Sequence, residues 1–135
     1  MKPVVFFSIN DGLFFWNGHH GLMVDYLFDN SAAPWSDMPD TTYRRMLERS
    51  GEFSREHTLL FTHGHTDHYS PRHMEEYVKR YSSGIYGPGI PESNLVPREL
   101  ASGTALLILP DYRVLVIRTR HQGRGNFSKI DNSAL

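Results

Sequence analysis

Thr58-Leu59-Leu60-Phe61-Thr62-His63-Gly64-His65-Thr66-Asp67-His68 runs from a short apolar stretch straight into three histidines and an aspartate. A continuous apolar run of this length is the pattern of a strand buried on both faces, as in a sheet flanked by crossover helices. Ser70-Pro71 follows as a helix N-cap and first-turn proline, and Met74, Tyr77, Val78 and Tyr81 recur at helical spacing through Arg80. The histidine cluster therefore occupies a strand-to-helix loop, where open α/β sheets commonly place their ligands.

Working outward, Val4 to Ile9, Leu13 to Trp16 and Leu22 to Phe28 are β-branched and aromatic runs separated by Asn10-Asp11-Gly12 and Asn17-Gly18, so the chain opens as a β-meander. A Pro, Ser and Asp-rich loop from Asn30 to Asp40 leads to a helix over Thr41 to Ser50. Tyr43, Met46 and Leu47 share one face of it, Asp40 or Thr41 caps its start and Gly51 its end. Ser82 to Gly103 is rich in Gly and Pro and reads as loop. Leu106 to Leu109 and Arg113 to Arg118 are two further strands joined by a turn at Pro110-Asp111-Tyr112, and residues 130–135 suit the start of another. The fold class is mixed α/β, in one unit spanning residues 1–135.

Composition narrows the chemistry. The formal net charge is -1 with no long run of like charge, which gives no support to nucleic acid or an anionic membrane as a partner. Cysteine is absent, so any metal must be held by nitrogen and oxygen ligands, and attention falls on the eight histidines. The apolar run at the N-terminus breaks at Asn10-Asp11-Gly12, too soon for a signal-peptide core, and no stretch reaches the roughly 20 apolar residues of a membrane-spanning helix. The default expectation is a cytoplasmic protein with a small-molecule substrate.

On an extended segment, side chains two positions apart project to the same side, so His63 and His65 can reach one metal ion, and Asp67 and His68 can turn into the same cavity. Any one histidine taken alone is better read as solvated or hydrogen-bonded. Four such residues this close together, between a strand and a helix, favour a metal site. Imidazole and carboxylate suit zinc first, as one or two ions, with iron, manganese or nickel as alternatives. Catalytic zinc keeps an open position for water and lowers that water's pKa to about 7.

Thr62-His63-Gly64-His65-Thr66-Asp67-His68 resembles the His-x-His-x-Asp-His signature of the metallo-β-lactamase superfamily, in the form found in glyoxalase II-like members. The resemblance implies a four-layered αββα sandwich, of which this chain supplies the first half and the start of the second. It also implies that His63 and His65 ligate a first metal, that Asp67 and His68 ligate a second, and that Asp67 orients the metal water. Where related oxygen-reducing di-iron proteins carry glutamate, His65 stands here, which favours hydrolysis. Leu22-Met23-Val24-Asp25 is similar to the family's early strand ending in an aspartate that supports the site from behind, and His121 resembles the third histidine of the first metal site. The family's bridging aspartate and final histidine would fall beyond His121, where only residues 122–135 remain, and Asp131 follows too closely to be the bridge. The resemblance therefore implies a domain incomplete at its C-terminus, with apolar sheet surface left to self-association.

The remaining histidines take plainer readings. His19 and His20 belong to a turn, while His57 and His73 read as surface residues, His73 with some prospect of lining the pocket. Phe6, Phe7, Phe14, Phe15 and Trp16 read as core. Two functions compete. One is a zinc-dependent hydrolase acting on an ester, thioester, amide or phosphoester; the other is a non-catalytic metal-binding fragment or interaction module of the same fold. A nucleic-acid-processing role lacks a basic stripe.

Overall fold

A computed structural model describes residues 2–29, 36–120 and 131–135, with the backbone alone for 131–134. Three short strands, β1 (Val4–Phe7), β2 (Leu13–Trp16) and β3 (Gly21–Val24), form the expected antiparallel meander. β4 (His57–Leu60) then lies parallel to β3, and β5 (Ile85–Tyr86) parallel to β4, giving a five-stranded sheet in the order β1-β2-β3-β4-β5. All four residues of β4 are buried, Thr58, Leu59 and Leu60 of the expected apolar run together with His57 ahead of it.

Each parallel step needs a crossover, and a helix provides it: α1 (Asp40–Glu48) between β3 and β4, α2 (Pro71–Arg80) between β4 and β5. Crossovers of one hand taken in one direction across a sheet place both helices on one face. Met46 and Leu47 of α1 and Met74 and Tyr77 of α2 accordingly share a core with Phe14, Met23, Leu59 and Ile85. Residues one position along each strand point the other way. Leu22, Leu60 and Tyr86 pack against Ala105, Leu107 and Val116 of a second sheet.

That second sheet is an antiparallel meander of β6 (Arg98–Ala101), β7 (Thr104–Ile108), β8 (Arg113–Arg120) and β9 (Asp131–Ala134). The chain is thus a mixed α and β structure whose described residues stack as helices, sheet and sheet. The far face of the second sheet carries Ile108, Leu115 and Ile117, which are exposed.

Helix ends show how local sequence sets the boundaries. Ser70 caps α2 as expected, its hydroxyl accepting from the His73 amide at 3.1 Å with Pro71 just inside. In α1 neither Asp40 nor Thr41 is the cap. Pro39 holds that position without a side-chain bond, Asp40 sits in the first turn where its charge suits the helix dipole, and Arg49 at φ 47° ends the helix ahead of Gly51.

Several expectations need correction. Ser82 to Gly103 is not all loop, because β5 and β6 lie within it. Val78 is exposed at the margin of the α2 stripe, and Phe7 projects from β1 into solvent. His57 and His73 are buried rather than on the surface. His57 sits in β4, where Nδ1 donates to the Arg55 carbonyl (3.0 Å) and Nε2 accepts from the Tyr77 hydroxyl (2.6 Å), which in turn meets Ser83 Oγ (3.0 Å). Burial lowers its pKa to about 4, against the opposing hydrogen bond to Arg55. His73 donates from Nδ1 to the Phe28 carbonyl at 3.0 Å, a buried structural bond.

Candidate metal centre

β3 and β4 run parallel with Val24 opposite Leu60, so their carboxyl ends finish side by side. Asp25 and Thr62 therefore emerge at one edge of the sheet, the edge where α/β folds bind ligands. The Asp25 amide still donates to the Leu60 carbonyl at 2.9 Å, but its backbone then turns to φ 49°. This left-handed conformation is one that aspartate tolerates better than most residues, and it ends β3 and turns the carboxylate under the histidine loop.

That carboxylate is buried and engaged three times. Oδ1 accepts from the Thr62 amide (2.8 Å), and Oδ2 accepts from the Thr62 hydroxyl (2.6 Å) and from His68 Nδ1 (2.8 Å). An ionised carboxylate only accepts, so the Thr62 proton points at Asp25. Thr62 Oγ1, 3.0 Å from His63 Nδ1, must then receive the His63 proton. Two imidazoles are oriented by one anion: His63 and His68 both carry hydrogen on Nδ1 and leave the Nε2 lone pair for a metal.

The loop bearing these ligands is tied down along its length. Asp29 N donates to the Thr66 carbonyl (2.8 Å), Ser70 N to the Leu27 carbonyl (2.9 Å), and His68 N and Tyr69 N both to the His65 carbonyl (3.0 and 2.8 Å). His63, Asp67 and His68 are brought together, each presenting one ligand atom with all three atoms within 4.8 Å of one another. His68 Nε2 lies 3.4 Å from Asp67 Oδ2. The edge of a zinc tetrahedron with bonds of about 2.0–2.1 Å is about 3.4 Å, so this pair is spaced for a shared ion. With Nδ1 of both imidazoles engaged, a carboxylate beside them and no thiolate, the donor set fits zinc.

His65 stands next to this group, its ring 4.7 Å from that of His63 at 75°, but it is not one of the three mutually close ligands. His121 lies outside the described residues. His20 is far from the cluster along β4, bonded through Nε2 to Thr58 Oγ1 at 2.9 Å. Burial is the strongest single influence on His68 and pushes its pKa down. The hydrogen bond and charge of Asp25, joined by Asp67 and Asp11, outweigh it and leave the pKa raised.

Sequence reasoning missed one part of the site, the β1–β2 turn. Leu13, the first residue of β2, pairs with Val24, the last of β3, so the turn before Leu13 lies at the sheet edge that carries the histidine loop. Asn10 Nδ2 donates to the Asp67 carbonyl at 3.0 Å, and Asp11 Oδ2 is 3.8 Å from His68 Nε2. The meander register would have located both residues; as a turn signal, Asn10-Asp11-Gly12 gave no reason to look further.

Comparison of the chain with protein-family models, curated proteins and solved structures returned no match. Among the described residues, no helix is long and apolar enough to cross a membrane.

Proposed function

We propose that this protein is a metal-dependent hydrolase of metallo-β-lactamase type, with zinc held by His63, Asp67 and His68 and its layers forming part of an αββα sandwich. The observation that carries the reading is the Asp25 carboxylate, which through Thr62 and directly through Nδ1 turns two imidazoles so that both keep Nε2 for the ion. Hydrogen-bonding a ligand histidine from behind is how proteins fix its tautomer and raise its basicity. A purely structural polar loop has no need of two imidazoles whose Nδ1 atoms are both engaged by one buried carboxylate network, one of them with Nε2 3.4 Å from the Asp67 carboxylate.

Zinc bound there would supply Lewis acidity and a water of pKa about 7. The chain's own groups would do the rest. Asp67, partly open to solvent, would help hold the ion with one carboxylate oxygen and orient the attacking water with the other. His65, its ring 4.7 Å from that of His63, would add a further imidazole to the wall of the site. The substrate class remains an ester, thioester, amide or phosphoester of a small molecule.

The test is hydrolysis of a panel of such substrates by the zinc-loaded chain, the chelated chain and His63→Ala. Zinc-dependent turnover lost in the variant supports the hydrolase. Zinc binding with no turnover on any substrate would favour a metal-binding module instead.

A further inference from the structure

The three ligands His63, Asp67 and His68 all come from one loop. Beside them lies the β1–β2 turn, and its position is built rather than incidental. Ser8 Oγ accepts from the amides of Asn10 (3.2 Å) and Gly12 (2.8 Å), closing the turn, and the Ser8 amide donates to the Gly12 carbonyl at 2.9 Å. Asn10 Nδ2 latches the turn to the Asp67 carbonyl at 3.0 Å. Gly12 lets it lie flat on the strand end behind the site, because a Cβ there would stand 2.7 Å from the Asp25 carbonyl oxygen.

This arrangement leaves Asp11 exposed at the tip, with Oδ2 3.8 Å from His68 Nε2, the nitrogen that the Asp25 bond leaves for metal. We propose that Asp11 is a further ligand to the ion held by His63, Asp67 and His68, so that the metal clamps the first hairpin onto the histidine loop. Asp11 is 3.8 Å from His68 Nε2 but is not one of the three mutually close ligands, so its side chain must swing toward the ion to join the set. Its solvent-exposed side chain has the rotamer freedom to do so. Asp11 would then join the set from a segment remote in sequence, with the water taking a further position on a five-coordinate ion, and an ion linking the two segments would order the turn as it binds.

The proposal rests on the metal-site reading, and calorimetric zinc titration of the full chain separates the two. Asp11→Asn should weaken zinc binding about tenfold or more while leaving the thermal midpoint of the metal-free chain unchanged. Asp111→Asn, an exposed turn aspartate elsewhere, should bind like the parent. The loss should persist at about 1 M salt, where screening confines exposed charges to about 3 Å. Zinc should also slow amide exchange at residues 10–12 in the parent and not in Asp11→Asn. If the parent binds zinc and Asp11→Asn binds it equally well, or differs only at low salt, Asp11 is not a ligand and the three-residue site stands alone. If the parent binds no zinc, both readings fall.

Discussion

Replacing Asp25 by asparagine changes one oxygen for an NH2 group and should disable the metal site with little harm to the fold. The Thr62 amide can only donate, so the asparagine must keep its oxygen at the Oδ1 position, 2.8 Å from that nitrogen. Its NH2 then occupies the Oδ2 position and donates where the aspartate accepted. Thr62 Oγ1 becomes an acceptor on that side and must give its own proton to His63 Nδ1; His68 Nδ1 likewise becomes an acceptor. Both imidazoles move their hydrogen to Nε2, the atom that should bind metal. Loss of one supporting partner commonly costs 10–100-fold in metal affinity, and two reversed ligands place this variant at the upper end, about a hundredfold or about 2.8 kcal/mol. The bonds to position 25 survive in reversed or neutral form, and asparagine tolerates the positive φ of this residue, so the metal-free fold should lose only about 1–2 kcal/mol. Zinc calorimetry paired with urea unfolding of the chelated protein measures both. Asparagine binding zinc as tightly as aspartate would refute the proposed proton arrangement.

His57 sets a pH dependence whose sign follows from its burial. Its ordinary value of 6.5 falls to about 4 in the fold, so between those values the unfolded chain binds a proton that the folded chain refuses. This contribution is complete above about pH 6.5, and about 3 kcal/mol of stability is lost as the pH falls toward 4; His57→Gln, which cannot titrate, should flatten that slope in urea unfolding. Met74→Ala removes a side chain with no exposed surface from the junction of α2 and the first sheet and should cost about 2–5 kcal/mol in the same assay. Gly12→Ala places a Cβ 2.7 Å from the Asp25 carbonyl and 2.8 Å from Ser8 Oγ, so the turn must lift away, and zinc affinity should drop by about tenfold with overall stability less affected. An unchanged affinity would show that the turn takes no part in the site.

The β4-loop-α2 unit was legible because each part obeys a local rule. An unbroken apolar run marks a doubly buried strand, and Ser70-Pro71 marks the helix start. Asp25 was legible only through family resemblance; its threefold hydrogen bonding is a tertiary fact. β5 escaped notice because two residues carry no period, and Ile85-Tyr86 is a strand only by pairing with β4. β6 escaped for another reason. Arg98-Glu99-Leu100-Ala101 is an exposed edge strand with no alternation to read. The buried state of His57 and His73 was hidden because their partners, Tyr77 and the Phe28 carbonyl, are 20 and 45 residues away. Asp11 joins the site from 57 residues before His68, and turn chemistry accounts for it locally without any reference to metal.

Hydrolysis at this site requires that His63, Asp67 and His68 hold a transition metal. Metal content of the purified chain by mass spectrometry, after zinc loading and desalting, tests it most directly. The expected result is about one zinc per folded chain, most of it lost in His63→Ala and nearly all retained in Arg72→Ala, whose guanidinium is engaged with Asp29 rather than with the cluster. A parent chain without zinc, or a His63→Ala variant that keeps its full complement, would contradict it.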